Sequence, residues 1–295
     1  MRFNILEIVV FGLINGSIFA LISMGLSMQY GVARILNVAH GEFIMLGAFL
    51  TWMMVTSGGI HPLLALLLCC PIMLAVGFVL HRTAYKRLKD ISPNAGAFEG
   101  NAMLLSFGIL YVVQALAQMR WGSSPQNYVY NNVPLKIDFF IKNGVPLRAN
   151  LLIVFILAII ICVAFYLFLA KTKPGKSIRA AAMDPVSASL MGIKISTVMA
   201  LCFGLGTLLA GTAGTLLSMH QGALYTTMGM QYTMTAIIVV VLGGLGSIPG
   251  SIVGGFILGL VGYAASKIDP SLENIVNYAI IMVLLLVRPK GLLGR

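Results

Sequence analysis

Residues 151 to 170 read LLIVFILAIIICVAFYLFLA, twenty positions without one charged side chain. At about 1.5 Å per residue an α-helix of this length covers roughly 30 Å, the thickness of a bilayer's hydrocarbon core. Water cannot be the main solvent of such a run, so it is a transmembrane helix. Similar stretches lie at Ile5 to Met28, Leu36 to Val55, Pro62 to Leu80, Ala102 to Met119, Thr197 to Met219, Met230 to Leu242, Ile248 to Ala265 and Ile275 to Val287. The expected fold is therefore all-α, a polytopic membrane bundle of about nine spans within a range of about eight to ten. Gly-rich breaks mark some stretches as half-helices or re-entrant segments, which irregular backbone permits inside protein or around a cavity. The first stretch reads as a span rather than a cleaved signal: it is long, is interrupted by Asn15 and Gly16, and lacks a small-x-small cleavage site.

Composition agrees, with 59% apolar and only 9% charged residues and a mean hydropathy of +0.97. These values exclude a soluble domain of this length. Cationic loops stay in the cytoplasm, and the dense clusters are Arg82, Lys86, Arg87 and Lys89, then Lys171, Lys173, Lys176 and Arg179, then Arg288, Lys290 and Arg295. Residues 171–195 are thus expected to be a cytoplasmic loop, the C-terminus to be cytoplasmic, and residues 120–150 to form an ordered cap outside. With nine spans the N-terminus is also outside, which Arg2 opposes. The whole of 1–295 reads as one transmembrane domain.

The net charge of +11 does not indicate nucleic-acid binding, because the cations sit in short loops beside spans and no aromatic-basic platform accompanies them. Cys69, Cys70, Cys162 and Cys202 all fall in apolar spans and show neither disulfide nor zinc spacing. Buried ionisable groups, which couple secondary transporters to ions, are nearly absent: of eight acidic residues only Glu42 lies beside an apolar core. The energy for any transport is expected to come from outside the chain.

The end of the run Ala170 to Ser177, Gly175-Lys176-Ser177, imitates a phosphate-binding loop. It follows a membrane helix instead of a strand and has Ala170 where the first glycine belongs, so no nucleotide site and no cofactor is expected here. Further along, Asp184-Pro185 is a helix start, with a carboxylate at the N-cap and proline at N1, and Gly192 is a stop. A helix is expected from Pro185 to Met191. Val186, Leu190 and Ile193 recur on it at near-helical spacing between Arg179 and Lys194, a stripe suited to a partner's groove or to lipid headgroups.

Three motifs carry a family resemblance. The first is Asn15-Gly16-Ser17 to Leu21, Gly25-Leu26 to Gly31, and Asn37-Val38-Ala39-His40-Gly41-Glu42 to Leu46-Gly47-Ala48. The second is the loop Gly175 to Ile193, with Arg179-Ala180, Ala188 and Met191-Gly192-Ile193; the third is Leu242-Gly243-Gly244-Leu245-Gly246-Ser247-Ile248-Pro249-Gly250. Over nearly the whole chain these resemble the branched-chain amino-acid ABC permeases. The resemblance implies an importer subunit of the bacterial inner membrane that pairs with a second, related permease. It further implies two cytoplasmic ATPases, which carry the ATP and Mg²⁺, and a periplasmic binding protein that delivers solute. Arg179, Asp184, Val186, Ala188, Leu190, Gly192 and Ile193 then become the ATPase-coupling set. Met183 stands where related loops often carry Gln or Glu. Importers of urea, short amides or other amino acids, and a passive channel, are the alternative readings.

The break at Asn37 to Glu42 has its own physics. Gly41 gives backbone freedom, Asn37 can satisfy freed backbone groups, and Glu42 falls in the first turn of the next helix, where the macrodipole favours a carboxylate. Asn37, His40, Gly41 and Glu42, with Gly243, Gly244, Gly246 and Pro249, are candidate pathway or helix-break residues. The preferred reading is structural: His40 and Glu42 hydrogen-bond to another span and fix its packing, since buried polar groups need partners. A metal site is not expected, because no second His or carboxylate stands at ligand spacing. Gly206, Ala210 and Gly214 share one helix face, as do Ser251, Gly255 and Gly259, a spacing that lets helices approach through their backbones.

Overall fold

The computed structural model describes residues 5–127, 138–141, 145–220, 222–288 and 291–294. Its membrane helices are α1 (Ile5–Ala33), α2 (His40–Thr56), α3 (Pro62–Leu80), α5 (Ala95–Trp121), α6 (Ala149–Lys171), α9 (Ile195–His220), α10 (Met228–Gly243), α11 (Ile248–Ser266) and α12 (Pro270–Val287). A π-helical turn, His81–Tyr85, joins α3 to the short α4 (Lys86–Ile91), while α7 (Lys173–Met183) and α8 (Pro185–Leu190) occupy the loop after α6. Among the described residues seven helical segments are long and apolar enough to cross a membrane, with α3 to α4 counted as one. The other two apolar segments are short, 17 residues in α2 and 16 in α10. All nine expected stretches are helical, and these two are the broken ones.

Packing depends on where glycine admits a backbone. A Cβ on Gly259 would come within 2.4 Å of Gly16 Cα, and one on Gly255 within 2.5 Å of Ala20 N, so α1 and α11 touch main chain to main chain. Gly47 meets Gly211, and Gly214 meets Ile44 O, which seats α2 on α9 in the same way. Such contacts hold helices together in lipid, where the hydrophobic effect no longer discriminates. Of its most apolar window α9 has 67% buried and α12 only 6%, so α9 is the central post and α12 faces outward.

The loops carrying the basic clusters share one end of the bundle: Lys89 Nζ lies 3.4 Å from Met199 Sδ near the start of α9, and Arg179 donates to Ala170 O at the end of α6. At the opposite end β1 (Asp138–Ile141) and β2 (Val145–Arg148) form an antiparallel hairpin with Asp138 opposite Arg148. An isolated bridge between Gln126 and Leu224, and the bond from Trp52 Nε1 to Asn127 O at 3.2 Å, tie the segment after α5 to its neighbours. The expected ordered cap over 120–150 therefore contains strand, and its residues 128–137 and 142–144 lie outside the described residues. Lys267 pairs with Glu7 at this end, and the carboxylate holds the ammonium above its ordinary value. That contribution is complete below the ordinary lysine range and is lost only as pH rises through the raised value. With side chains 37% and 26% exposed, solvent screening keeps it at about 0–1 kcal/mol.

Candidate functional site

The break between α1 and α2 is built from a left-handed residue and a buried polar turn. Arg34 ends α1 at φ 55°, and residues 34–39 then fold back into the bundle. His40 Nε2 is 3.0 Å from Ile22 O, eleven residues before the end of α1 and so about 16 Å along its axis. The helix α2 therefore starts inside the bundle. Asn37 Oδ1 accepts from Ala39 N at 3.1 Å, and Asn37 Nδ2 donates to Gln29 Oε1 at 3.2 Å, so Asn37 supports the turn as its residue type suggests. Val38 N donates to Ser106 Oγ at 3.1 Å.

Against this turn lies the start of α10, the second short helix. Gly41 N donates to Thr233 Oγ1 at 2.9 Å, and that hydroxyl donates to Val38 O at 2.9 Å. A Cβ on Gly41 would stand 1.8 Å from Gly229 O, and one on Gly229 would stand 2.3 Å from Glu42 Oε1. The Glu42 carboxyl thus rests on Gly229, fully buried. Neither of its oxygens has a hydrogen-bond partner among the described residues, and the same holds for His40 Nδ1. The expectation that His40 and Glu42 both bond to another span is met by His40 through Ile22 O and not by Glu42. Its carboxyl reaches α10 at a glycine, which offers no side-chain donor.

The glycine-rich motif assembles elsewhere. Gly243 and Gly250 touch through their backbones, Gly244 and Gly246 have φ of 103° and 81°, and Gly246 packs on Gly31 at the end of α1. Leu292 N and Leu293 N donate to Leu242 O and Gly243 O at 2.9 and 3.0 Å. Ser247 Oγ caps α11, with Pro249 in its first turn. Gly244 and Gly246 accordingly form the turn between α10, which ends at Gly243, and α11, which carries Pro249 in its first turn; the end of α10 holds the C-terminal segment, away from Glu42.

In the 171–195 segment, Gly175-Lys176-Ser177 lies in α7, capped by Thr172, with Gly175 pressed on Phe168 O and Leu169. Its backbone amides are helical rather than cradled around an anion. Ile178 and Ala181 bury one face of α7 in the core. Asp184 ends α7 and starts α8, accepting from Val186 N at 2.9 Å and from the Ser187 hydroxyl. Those two bonds, the hydroxyl's the larger, hold the Asp184 carboxyl below its ordinary value. Gly192, at φ 83°, supplies the stop. The helix is one residue shorter than expected, with Met191 as C-cap.

The exposed stripe differs from the one read by spacing. Val186 and Leu190 are exposed, at 71% and 83%, and so are Met183 and Met191, at 80% and 84%. Ala188 is buried and Ile193 packs against the core, so these two seat α8 instead of presenting it. Spacing places Ile193 on the stripe only if the helix continues, and the left-handed Gly192 ends it first. Arg179 likewise spends its guanidinium on Ala170 O. Asp184→Ala is expected to fray α8, whereas Asp184→Asn retains the cap. Amide exchange over residues 185–191 checks this: faster in the alanine variant, unchanged in asparagine. The depressed carboxyl keeps the wild-type cap charged at neutral pH, and the cap's charged form is lost only as pH falls below the ordinary carboxylate range.

The family model described as branched-chain amino acid transport system / permease component matches residues 8–286, which takes in every membrane helix above except the ends of α1 and α12. The chain belongs to this permease family. It is 28% identical to the high-affinity branched-chain amino acid transport system permease protein BraD of Pseudomonas aeruginosa, covering 99% of this chain and 97% of that protein. The corresponding LivH protein of Escherichia coli K12 is 30% identical, over 96% and 94% of the two chains. The ribose import permease RbsC of Haemophilus influenzae is 27% identical over only 40% of this chain and 38% of its own. No solved structure matches. Members of the family are transport permeases rather than enzymes, and this one is a multi-pass membrane protein.

For a permease, a helix that begins inside the bundle matters because irregular backbone at that depth survives only within protein or along a cavity. Sequence reasoning found Asn37 to Glu42 but missed their partners on α10, Gly229 and Thr233, and Gln29 on α1. Nothing in their local sequence marks Gly229 and Thr233, since what selects them is contact with residues about 190 positions away, whereas Gln29 lies only eight positions from Asn37. The two flanking methionines, Met183 and Met191, were legible as apolar residues but not as neighbours of Val186 and Leu190.

Proposed function

We propose that this chain is one of two permease subunits in an ATP-driven importer of branched-chain amino acids in a bacterial inner membrane. The observation that carries this reading is the match to the branched-chain permease family over residues 8–286. Two ATPases dock from the cytoplasm on α8, supplying ATP and Mg²⁺ chemistry that this chain does not perform. A periplasmic binding protein delivers solute at the end bearing the β-hairpin, and the C-terminus is cytoplasmic. The crowding of Lys and Arg at the opposite end of the bundle supports that orientation.

An amino acid is a zwitterion, and buried polar side chains such as Gln29, Asn37, His40, Thr207 and Thr233 already bond within the bundle, which leaves a solute few, separate contacts. Such a path permits release, and it leaves selectivity to the binding protein. The test is uptake of radiolabelled leucine by vesicles holding the assembled transporter, with urea and polar amino acids as competitors and an ATPase-dead partner as control. Leucine uptake that vanishes with the dead ATPase is the expected result. ATP-dependent flux of urea without leucine uptake would overturn the substrate, and flux unaffected by the dead ATPase would establish a passive channel.

A further inference from the structure

Glu42 is the buried acid that the packing among the described residues leaves unexplained. Its side chain is fully buried, yet neither carboxyl oxygen meets a donor among the described residues. A buried carboxylate presents about four acceptor sites, and leaving them empty is costly where no water competes. A residue needed only to lock α2 to its neighbour would pair with a donor, as Thr233 does for Gly41. Glu42 instead sits where two short helices start: it is in the first turn of α2, and its carboxyl touches Gly229 in the first turn of α10. Discontinuous helices meeting inside a membrane bundle are the recurrent setting of transporter solute sites.

We propose that the Glu42 carboxylate is the acceptor for the ammonium group of the solute as it passes the α2–α10 junction. This rests on the amino-acid reading given above. The complementarity is chemical: a carboxylate without a donor, fully buried, matches a cation with three donors and no acceptor. Gly229 has no side chain to shield the carboxyl, so a modest parting of α10 from α2 exposes it. In the closed arrangement described here the two helices cover the site. An apolar side chain of the solute then lies among the Leu, Met and Ala side chains of the bundle, which predicts tolerance for several branched side chains together with a requirement for the amine.

The experiment uses the complete transporter in proteoliposomes, with permease pair, ATPases and binding protein. Dicyclohexylcarbodiimide, which modifies carboxyls in apolar surroundings, is applied during turnover and Glu42 is followed by peptide mass spectrometry. Leucine is expected to suppress Glu42 modification at least about threefold, isopentylamine at millimolar concentration to suppress it also, and 4-methylpentanoate, which lacks the amine, to have no effect. In parallel Glu42→Gln, which keeps the shape and removes the charge, is expected to cut leucine uptake about tenfold or more at wild-type membrane abundance. Modification that leucine does not alter would overturn the proposal even if the glutamine variant fails to accumulate. So would equal protection by 4-methylpentanoate, or wild-type uptake by a well-expressed glutamine variant. Wild-type vesicles that import no leucine at all would overturn the amino-acid reading itself and this proposal with it, a result distinct from selective failure of the variant.

Discussion

Gly41→Val is expected to remove most of the folded permease from the membrane, while Gly100→Ala leaves abundance unchanged and thermal stability equal or slightly raised. The contrast follows from what a side chain meets. At Gly41 even the first carbon would stand 1.8 Å from Gly229 O and 2.5 Å from Thr233 Oγ1, both inside atomic contact. The obstacle is backbone, so no rotamer relieves it, and α2 must part from α10. Parting them also breaks the bond from Gly41 N to Thr233 Oγ1, leaving a buried donor open. Overpacking of this kind costs about 3 kcal/mol, a large share of the 5–15 kcal/mol that typically separates folded from unfolded chains. At Gly100 nothing lies within 4 Å, and alanine is the better helix former by about 1 kcal/mol. Fluorescence-detected size exclusion and thermal denaturation in detergent measure both variants. A Gly41→Val protein as abundant and stable as the wild type would show that the α2–α10 contact is not needed for folding.

Leu190→Asp combined with Met191→Asp is expected to abolish co-purification of the ATPase, with the permease itself still folded and inserted. Both side chains are more than four-fifths exposed, so the charges meet water in the free chain and cost little stability. Exposed apolar side chains on a short capped helix are the form in which a helix docks into a partner's groove, and loss of a central anchor costs about 2 kcal/mol or more, roughly 30-fold in affinity. Ile193→Asp makes an informative comparison. Its side chain packs on the core, so a charge there is expected to lower permease stability first, with ATPase loss following loss of protein. Should the double aspartate variant retain the ATPase at the wild-type level, α8 is not the docking element and lies on lipid headgroups instead.

Membrane insertion and helix positions were legible because both are one-dimensional. An uncharged run such as 151–170 needs no partner to declare itself, and the Asp184-Pro185 cap and the Gly192 stop act within a few residues of where they stand. The interruption at Asn37 to Glu42 was legible for the same reason: a glycine beside Asn, His and Glu interrupts an apolar stretch. Where boundaries moved, long-range contact moved them. The stretch expected from Leu36 begins as helix only at His40, because Asn37 binds Gln29 and the turn is held by Thr233. The stretch expected to end at Leu80 runs on through a π-helical turn, where His81 and Tyr85 pack beside Phe203 of α9 with ring centres at 5.4 and 4.4 Å. The amphipathic α7, in a loop read for its charges, forms because Ile178 and Ala181 find the core.

Hydropathy, caps and glycine act locally, so membrane residence, the helix positions and the one short break among them follow from the chain read in order. Packing between distant segments places the start of α2 inside the bundle and turns Ile193 inward while Met191 faces out. It also bonds His40 and leaves Glu42 resting on Gly229 with no partner among the described residues. Those are properties of pairs distant in the chain, and their identity depends on which backbones glycine allows to touch.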